Sequence, residues 1–354
     1  MVKVIQPGRR HGTVTVPSSK SIAHRELIAA ALSGAEPPVI RGESKDTLAT
    51  RNCLKAMMSG DSVWPCGESG TTLRLLEPIA GVMGWKGEFK CEGRLGERPR
   101  MPFEKKIRYV IPGNVSSQFI SGLLMALPLA DWDSEIVIDG PLQSEAYVRL
   151  TEDTLRESGI EVSRCGGGGG PAPSEWRIRG GQRYRFAGGR EVEGDWSQAA
   201  FFLAMGVEVK GLRDDSHQGD KAAVELLAAI RGGGTPPSQG RGRLAPVCLD
   251  VAQTPDLYPV LAATAAAMGR EVTFTGTERL RLKESDRIAS TAALIESVKN
   301  GKPVNAFGDH RIAMSAAVMA CYSTIPVTVE GAECVAKSYP GFWDDFESLE
   351  VPEP

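Results

Sequence analysis

The sequence predicts an α/β (α+β) chain in two domains, and three observations carry that expectation. At 354 residues it is long enough to build two separate cores. A hydrophobic content of 42% with 24% charged residues belongs to a globular protein, and sparse aromatics (6%) beside plentiful Gly and Ala suit helices packed closely on sheets. Finally, a strand-like beginning gives way to repeated segments in which small or hydroxyl residues precede an apolar helical face.

The same composition excludes several classes of function. A net charge of −3 gives no basic field, so nucleic acid is not an expected partner. The seven cysteines are odd in number and never closer than thirteen residues, and the four histidines are scattered. A disulfide framework or a zinc site is therefore not expected, and the thiols read as reduced. The opening MVKVIQPGRRHG lacks the apolar core of a secretion signal. The longest apolar run, Leu257–Met268, is interrupted by Pro259 and is too short to cross a bilayer. The expectation is a cytoplasmic protein with no membrane partner.

Taken in order, residues 1–16 alternate as strands around Pro7-Gly8, with Val2, Val4, Val14 and Val16 as the apolar positions. In Pro17–Leu32 either Ser18 or Ser19 can cap a helix that buries Ala23, Leu27, Ala30 and Ala31. On that helix Lys20 pairs in spacing with His24, and Ser21 with Arg25. Gly67–Leu76 is a glycine turn with two threonines leading into a helix that carries Arg74; it lacks the lysine of a P-loop. Arg94–Arg100 is a loop with three arginines, Arg98 among them. In Gly113–Ala130, Ser116, Ser117 and Gln118 stand before an apolar helix, and Ser144–Tyr147 stands before another at 148–158. The glycine-proline stretches 166–173 and 232–242 read as surface loops. Between them, Ser197-Gln198 echoes Ser117-Gln118, a sign of internal duplication.

Asp256 sits just before a small-residue helix, where an acid commonly serves as a cap or a dipole partner. Arg279–Ile288, RLRLKESDRI, places Lys283 at a helix mouth near Ser285, Arg287 one turn in, and Glu284 between the two cations. Such a run is either a solvated turn or an anion site with a carboxylate at hand. In Phe307–Met314 Asp309 caps a helix whose first turn holds His310 and Arg311, and Lys337 lies near the chain end. At least six segments share this plan, and six helix starts carrying Lys20, Arg25, Arg74, Lys283, Arg287 and Arg311 read as converging on a polyanionic ligand.

The segments PSSKSIAHR, GESGTTLR, ERP, VSSQF, SEAY, EGDWSQA, TPDL, LKESDRI, GDHRIAM and KSYP, in this order, resemble the 5-enolpyruvylshikimate-3-phosphate synthase (3-phosphoshikimate 1-carboxyvinyltransferase) family of enolpyruvyl transferases. The resemblance implies two domains of pseudo-threefold βαβαββ units, residues 1–18 with 194–354 and residues 19–193, and an active site in the cleft between them. It implies transfer of the enolpyruvyl group of phosphoenolpyruvate to the 5-hydroxyl of shikimate 3-phosphate, on the route to chorismate and the aromatic amino acids. Shikimate 3-phosphate would be held by Ser21, Arg25, Ser116, Ser117, Ser144, Asp256 and Lys283. Phosphoenolpyruvate would meet Lys20, Gly70, Arg98, Gln118, Arg287, Arg311 and Lys337. Asp256 would be the base, with Glu284 or Lys20 protonating the enol carbon. No cofactor or metal is implied; a monomer and inhibition by glyphosate are.

The chain departs from the family pattern in places. Segments 99–115 and 288–308 are short, so pieces of the repeating units are expected to be missing. Glu68 and Arg279 stand where asparagine is usual. One rival is the related transferase acting on UDP-N-acetylglucosamine, disfavoured by Ser21 and by the absence of a cysteine in the Arg94–Arg100 loop. The other is an inactive phosphometabolite-binding relative, disfavoured by the retention of both Asp256 and Glu284.

Overall fold

The structure, a computed structural model, describes residues 1–114, 116–166, 174–232 and 246–351. Most of each predicted glycine-proline loop, residues 167–173 and 233–242, lies outside the described residues. The chain divides into two compact units, Met1–Ser19 with Glu193–Pro354, and Lys20–Val192. Among the described residues no helix is long and apolar enough to cross a membrane.

Two short strands open the chain, β1 (Val2–Ile5) and β2 (Thr13–Thr15). Val14 and Val16 are buried as the alternation predicts, whereas Val2 and Val4 face solvent and Ile5 enters the core. The unit 20–192 then begins with α1 (Lys20–Ser33) and α2 (Lys45–Ser59). Ser44 and Thr47 cap α2 reciprocally, and Gly60 ends it in a left-handed conformation. Next come β3 (Val63–Gly67), α3 (Gly70–Met83) and β4 (Glu88–Cys91), in which β3 and β4 pair in parallel as a two-stranded sheet.

The following stretch forms a full βαβαββ unit: β5 (Arg108–Pro112), α4 (Ser117–Ala126), β6 (Ser134–Asp139), α5 (Glu145–Glu157), β7 (Val162–Cys165) and β8 (Glu175–Ile178). Its strand order is β5-β6-β8-β7, with β5 and β6 parallel and the other pairs antiparallel. In α4 Gly122 lets the helix touch α3, since a Cβ there would overlap the Arg74 carbonyl and crowd Pro78. Leu73, Leu76, Leu123, Leu124, Ile136 and Trp176 form the centre of this unit's core.

The remaining unit continues with α6 (Trp196–Met205), β9 (Glu208–Lys210), α7 (Ala223–Arg231), β10 (Val247–Asp250), α8 (Tyr258–Ala267), β11 (Val272–Thr275) and α9 (Arg287–Lys299). It ends with β12 (Val304–Asn305), α10 (His310–Ala320), β13 (Val327–Glu330) and α11 (Phe342–Glu347). Its described strands pair as β1-β13-β12, β10-β11 and β2-β9. Every residue of α10 is buried. A helix enclosed on all sides must be lined with small side chains to let its neighbours approach, which accounts for the alanine content.

Candidate active-site residues

In the unit 1–19 with 193–354, RLRLKESDRI starts with a 3-10 turn over Glu278–Leu282, and Asp286 caps α9 by accepting from the N–H groups of Ile288 and Ala289 (3.1 and 3.2 Å). Arg287 is thus the first helical residue and not one turn in, because Asp286 rather than Ser285 provides the cap. Its side chain is 1% exposed, and three acids take up its fork. Nε donates to Asp309 Oδ2 (2.9 Å), Nη1 to Asp256 Oδ1 (2.6 Å) and Nη2 to Glu284 Oε2 (2.7 Å). Burial alone would lower the pKa of this guanidinium, but Asp309, Glu284 and Asp256 together raise it.

Asp256 lies in a 3-10 turn, Pro255–Leu257, before α8 and makes no cap. Its Oδ1 also accepts from Lys283 Nζ (3.1 Å), and its Oδ2 lies 3.4 Å from Arg311 Nη2. Burial opposes its ionisation, yet Lys283, Arg311 and Arg287 outweigh that and hold its pKa well below 3.8. The Lys283 pKa is itself lowered, mainly by burial, with Asp256 pulling the other way. Arg311 donates through Nη1 to the Asp256 carbonyl (3.1 Å) and through Nη2 to Ser197 Oγ (2.7 Å). Asp309 caps α10 through the Arg311 N–H (3.0 Å) while receiving Ser285 Oγ (3.0 Å). Lys283, Arg287 and Arg311 are thus matched by Asp256, Glu284 and Asp309. An incoming anion has to exchange with these internal carboxylates to reach the cations. Lys337 ends a 3-10 turn, Ala332–Lys337, and is buried; it and Asp309 both influence the Cys334 thiol, which burial pushes up to about 12.

In the unit 20–192 the predicted residues fall into three groups. Lys20, the first residue of α1, donates to Asp46 Oδ2 (2.9 Å). Ser19 Oγ donates to Gln218 Oε1 (2.9 Å). Gly70, Arg98 and Gln118 form a second group around Arg74. A Cβ at Gly70 would stand 3.2 Å from Arg74 Nη1 and 3.4 Å from Arg98 Nη1. Arg74 Nη1 donates to Gln118 Oε1 (2.6 Å), and Gln118 Nε2 donates to Thr71 Oγ1 (2.8 Å).

The third group joins α1, α4 and α5. Arg25 is buried, with Nε on Thr151 Oγ1 (2.8 Å), Nη1 on the Ser21 carbonyl (2.6 Å) and Nη2 on Ser121 Oγ (3.2 Å) and the Tyr147 carbonyl (2.8 Å). Burial brings its pKa down to about 10. Ser116 caps α4 by accepting from the Gln118 N–H (3.3 Å), and Ser117 is a buried residue inside the helix. Ser144 precedes α5 in a left-handed conformation (φ 56°), and Glu145–Tyr147 belong to the helix, not to the turn before it. Such a backbone costs a side-chain-bearing residue on the order of 1–2 kcal/mol.

The echo of Ser117-Gln118 in Ser197-Gln198 is offset by one position. In α4 the cap is Ser116 and Ser117 is the first helical residue; in α6 the cap is Asp195 and Ser197 is the second. Sequence reasoning missed Asp46, although its place in the first turn after Ser44-x-x-Thr47 was available as a signal. It also read Asp309 only as a cap and passed over Asp220, a buried acid whose pKa burial and Asp256 push up to about 6. Among the described residues no group of three or more His, Cys, Asp or Glu could hold a metal ion.

Two α/β units whose helix starts are loaded with cations and carboxylates define a class of anion-handling α/β proteins. The family model for EPSP synthase (3-phosphoshikimate 1-carboxyvinyltransferase) matches residues 4–62 and 100–346. A 3-phosphoshikimate 1-carboxyvinyltransferase of Clostridium kluyveri is 35% identical, with 98% of this chain and 96% of the relative covered. One from Clostridium perfringens is 34% identical at 98% and 97% coverage. The Clostridium kluyveri alignment spans 425 positions against 354 residues here, so internal stretches of that relative have no counterpart in this chain. Among solved structures, an EPSP synthase from Acinetobacter baumannii shares the fold with a TM-score of 0.70 at 21% identity, covering all of both chains. The enolpyruvyl transferase NikO from Streptomyces tendae does so with a TM-score of 0.61 at 14% identity, over 99% and 97% of the two chains. This chain belongs to the EPSP synthase family.

Proposed function

We propose that the chain transfers the enolpyruvyl group of phosphoenolpyruvate to the 5-hydroxyl of shikimate 3-phosphate and releases phosphate, as a cytoplasmic monomer supplying the route to chorismate. The observation that carries the reading is Arg287, a buried guanidinium shared by Asp256 and Glu284, with Lys283 on the same Asp256 oxygen. A carboxylate held ionised by cations becomes a usable base when an anion takes those cations over, because loss of the positive neighbours raises its pKa. Asp256 then accepts the 5-hydroxyl proton, while Glu284, or Lys20, protonates the methylene carbon of phosphoenolpyruvate. The 5-oxygen bonds to the cationic carbon. The tetrahedral adduct next loses phosphate from that carbon and a proton from the new methyl group, which restores the vinyl ether.

In this reading Ser21, Arg25, Ser116, Ser117, Ser144, Asp256 and Lys283 hold shikimate 3-phosphate. Lys20, Gly70, Arg98, Gln118, Arg287, Arg311 and Lys337 hold phosphoenolpyruvate. The small residue at 70 leaves its neighbourhood open beside Arg98, so glyphosate is expected to compete with phosphoenolpyruvate. A Gly70→Ala variant should weaken that inhibition in a competition assay, since its Cβ would sit 3.4 Å from Arg98 Nη1. The reaction itself is tested by phosphate release with each substrate alone and with both; release from phosphoenolpyruvate alone would contradict the assignment.

A further inference from the structure

We propose that a buried hydrogen-bond chain, His24–Thr50–Thr72–Ser69, runs in one direction and that His24 and Thr50 are positioning residues for the phosphoenolpyruvate end of the site. The functional half of this proposal rests on the assignment of Lys20 and Gly70 to phosphoenolpyruvate made above.

The direction follows from counting hydrogens. The Thr72 hydroxyl has one proton to give, and its acceptors are Ser69 Oγ (2.7 Å) and the Asp46 carbonyl (3.3 Å). Spending that proton on Ser69 lets all the hydroxyl contacts form at once, with the 2.6 Å contact between the Thr50 and Thr72 hydroxyls, whose geometry admits either donor, donated by Thr50. The Thr50 hydroxyl proton is then committed, and the 2.7 Å contact with His24 Nδ1 is donated by the imidazole. His24 is therefore the Nδ1–H tautomer, and its Nε2, buried without a hydrogen-bond partner, is a bare lone pair. A second proton would leave an N–H group buried with no acceptor. The charged groups nearest the ring also oppose protonation: Lys20 and Arg25 on its own helix add to burial in lowering its pKa. At the start of α2 Asp46 is engaged by Lys20, and from α3 the Thr72 hydroxyl meets Thr50. The chain thus keeps its direction.

Three helices are tied by these contacts, each at its start. Lys20 and His24 share α1, Asp46 and Thr50 share α2, and Ser69 caps α3 through the Thr72 N–H (3.3 Å), directly before Gly70. The Thr72–Asp46 contact joins the partner of Lys20 to the helix that begins at Gly70. Cutting the chain at Thr50 removes one of two ties between the α1–α2 ion pair and the α3 start, leaving only the longer Thr72–Asp46 contact, while the residues assigned to shikimate 3-phosphate lie on other contacts.

Two readouts test the proposal on the full chain. Histidine 15N–1H NMR should show one ring, His24, as the Nδ1–H tautomer with no titration through pH 6.5; an Nε2–H tautomer or a titrating ring would overturn the relay. In steady-state assays Thr50→Val should raise KM for phosphoenolpyruvate about fivefold, the scale of one hydrogen bond, with KM for shikimate 3-phosphate and kcat unchanged. Thr50→Ser should restore it, and His24→Asn, which keeps a donor near the Nδ1 position, should stay closer to wild type than His24→Leu. Equal effects on both substrates, or lost thermal stability with unchanged KM, would overturn the positioning role. Should the wild type release no phosphate, the functional assignment fails, while the NMR readout still decides the relay.

Discussion

At the residue scale the decisive feature is one carboxylate among three cations. Asp256 accepts from Lys283 and Arg287 on a single oxygen and faces Arg311 with the other. An Asp256→Asn variant keeps the shape and removes the proposed base, so phosphate release should fall by roughly 10²–10⁴-fold, as measured by steady-state turnover at saturating substrates. The buried titratable groups also set opposite pH dependences for stability. His24 stays neutral when folded, so below pH 6.5 the unfolded chain takes up a proton that the folded one refuses, and stability falls as the pH drops from there. Asp256 contributes stability that is present above pH 3.8 and is lost as the pH falls below it. Asp220 acts in the other sense: its pKa is raised to about 6, so its contribution is complete below pH 3.8 and is lost as the pH rises toward 6. Asp220→Asn should therefore gain stability over the wild type as the pH rises across that window, as urea unfolding at stepped pH will show. An advantage independent of pH would contradict this account of Asp220.

At the element scale the helix starts were legible because each needs a hydroxyl or acid to satisfy its N–H groups, and Asp309 and Ser116 do this where the sequence places them. The errors came from choosing between adjacent candidates. α9 starts at Arg287 with Asp286 as its cap, just after the entry near Ser285 that the sequence suggests, and α5 begins at Glu145, directly after the left-handed Ser144. Asp46 could not be matched to Lys20 from sequence, since an ion pair between two helix starts 26 positions apart leaves no periodic trace. The Arg74–Gln118 bond likewise depends on how closely α3 and α4 approach, which Gly122 controls. Gly122→Ala places a methyl against the Arg74 carbonyl. It should cost about 1–3 kcal/mol in urea unfolding and raise KM for phosphoenolpyruvate by moving Gln118. A neutral substitution would mean that the two helices have slack.

At the scale of the whole molecule, composition and length announced two units of helices on sheets, and the chain divides into two units. Motif order pointed to the family, because ten short segments matching it in the same order are hard to reach by chance. What composition and spacing could not convey is which strands pair. Among the described residues only β5–β8 form a four-stranded sheet, while β3-β4, β10-β11 and β2-β9 are pairs, and strand partners far apart in sequence leave no local signature. The relatives' extra length falls inside the chain and not at its ends, yet Arg287 and Arg74 each sit in a hydrogen-bonded cluster. The most direct test is phosphate release from phosphoenolpyruvate on addition of shikimate 3-phosphate, measured for the wild type and Asp256→Asn. The account predicts release only with both substrates and its near-loss in the variant. Wild-type protein that binds both ligands without releasing phosphate, or a variant as active as the wild type, would contradict it.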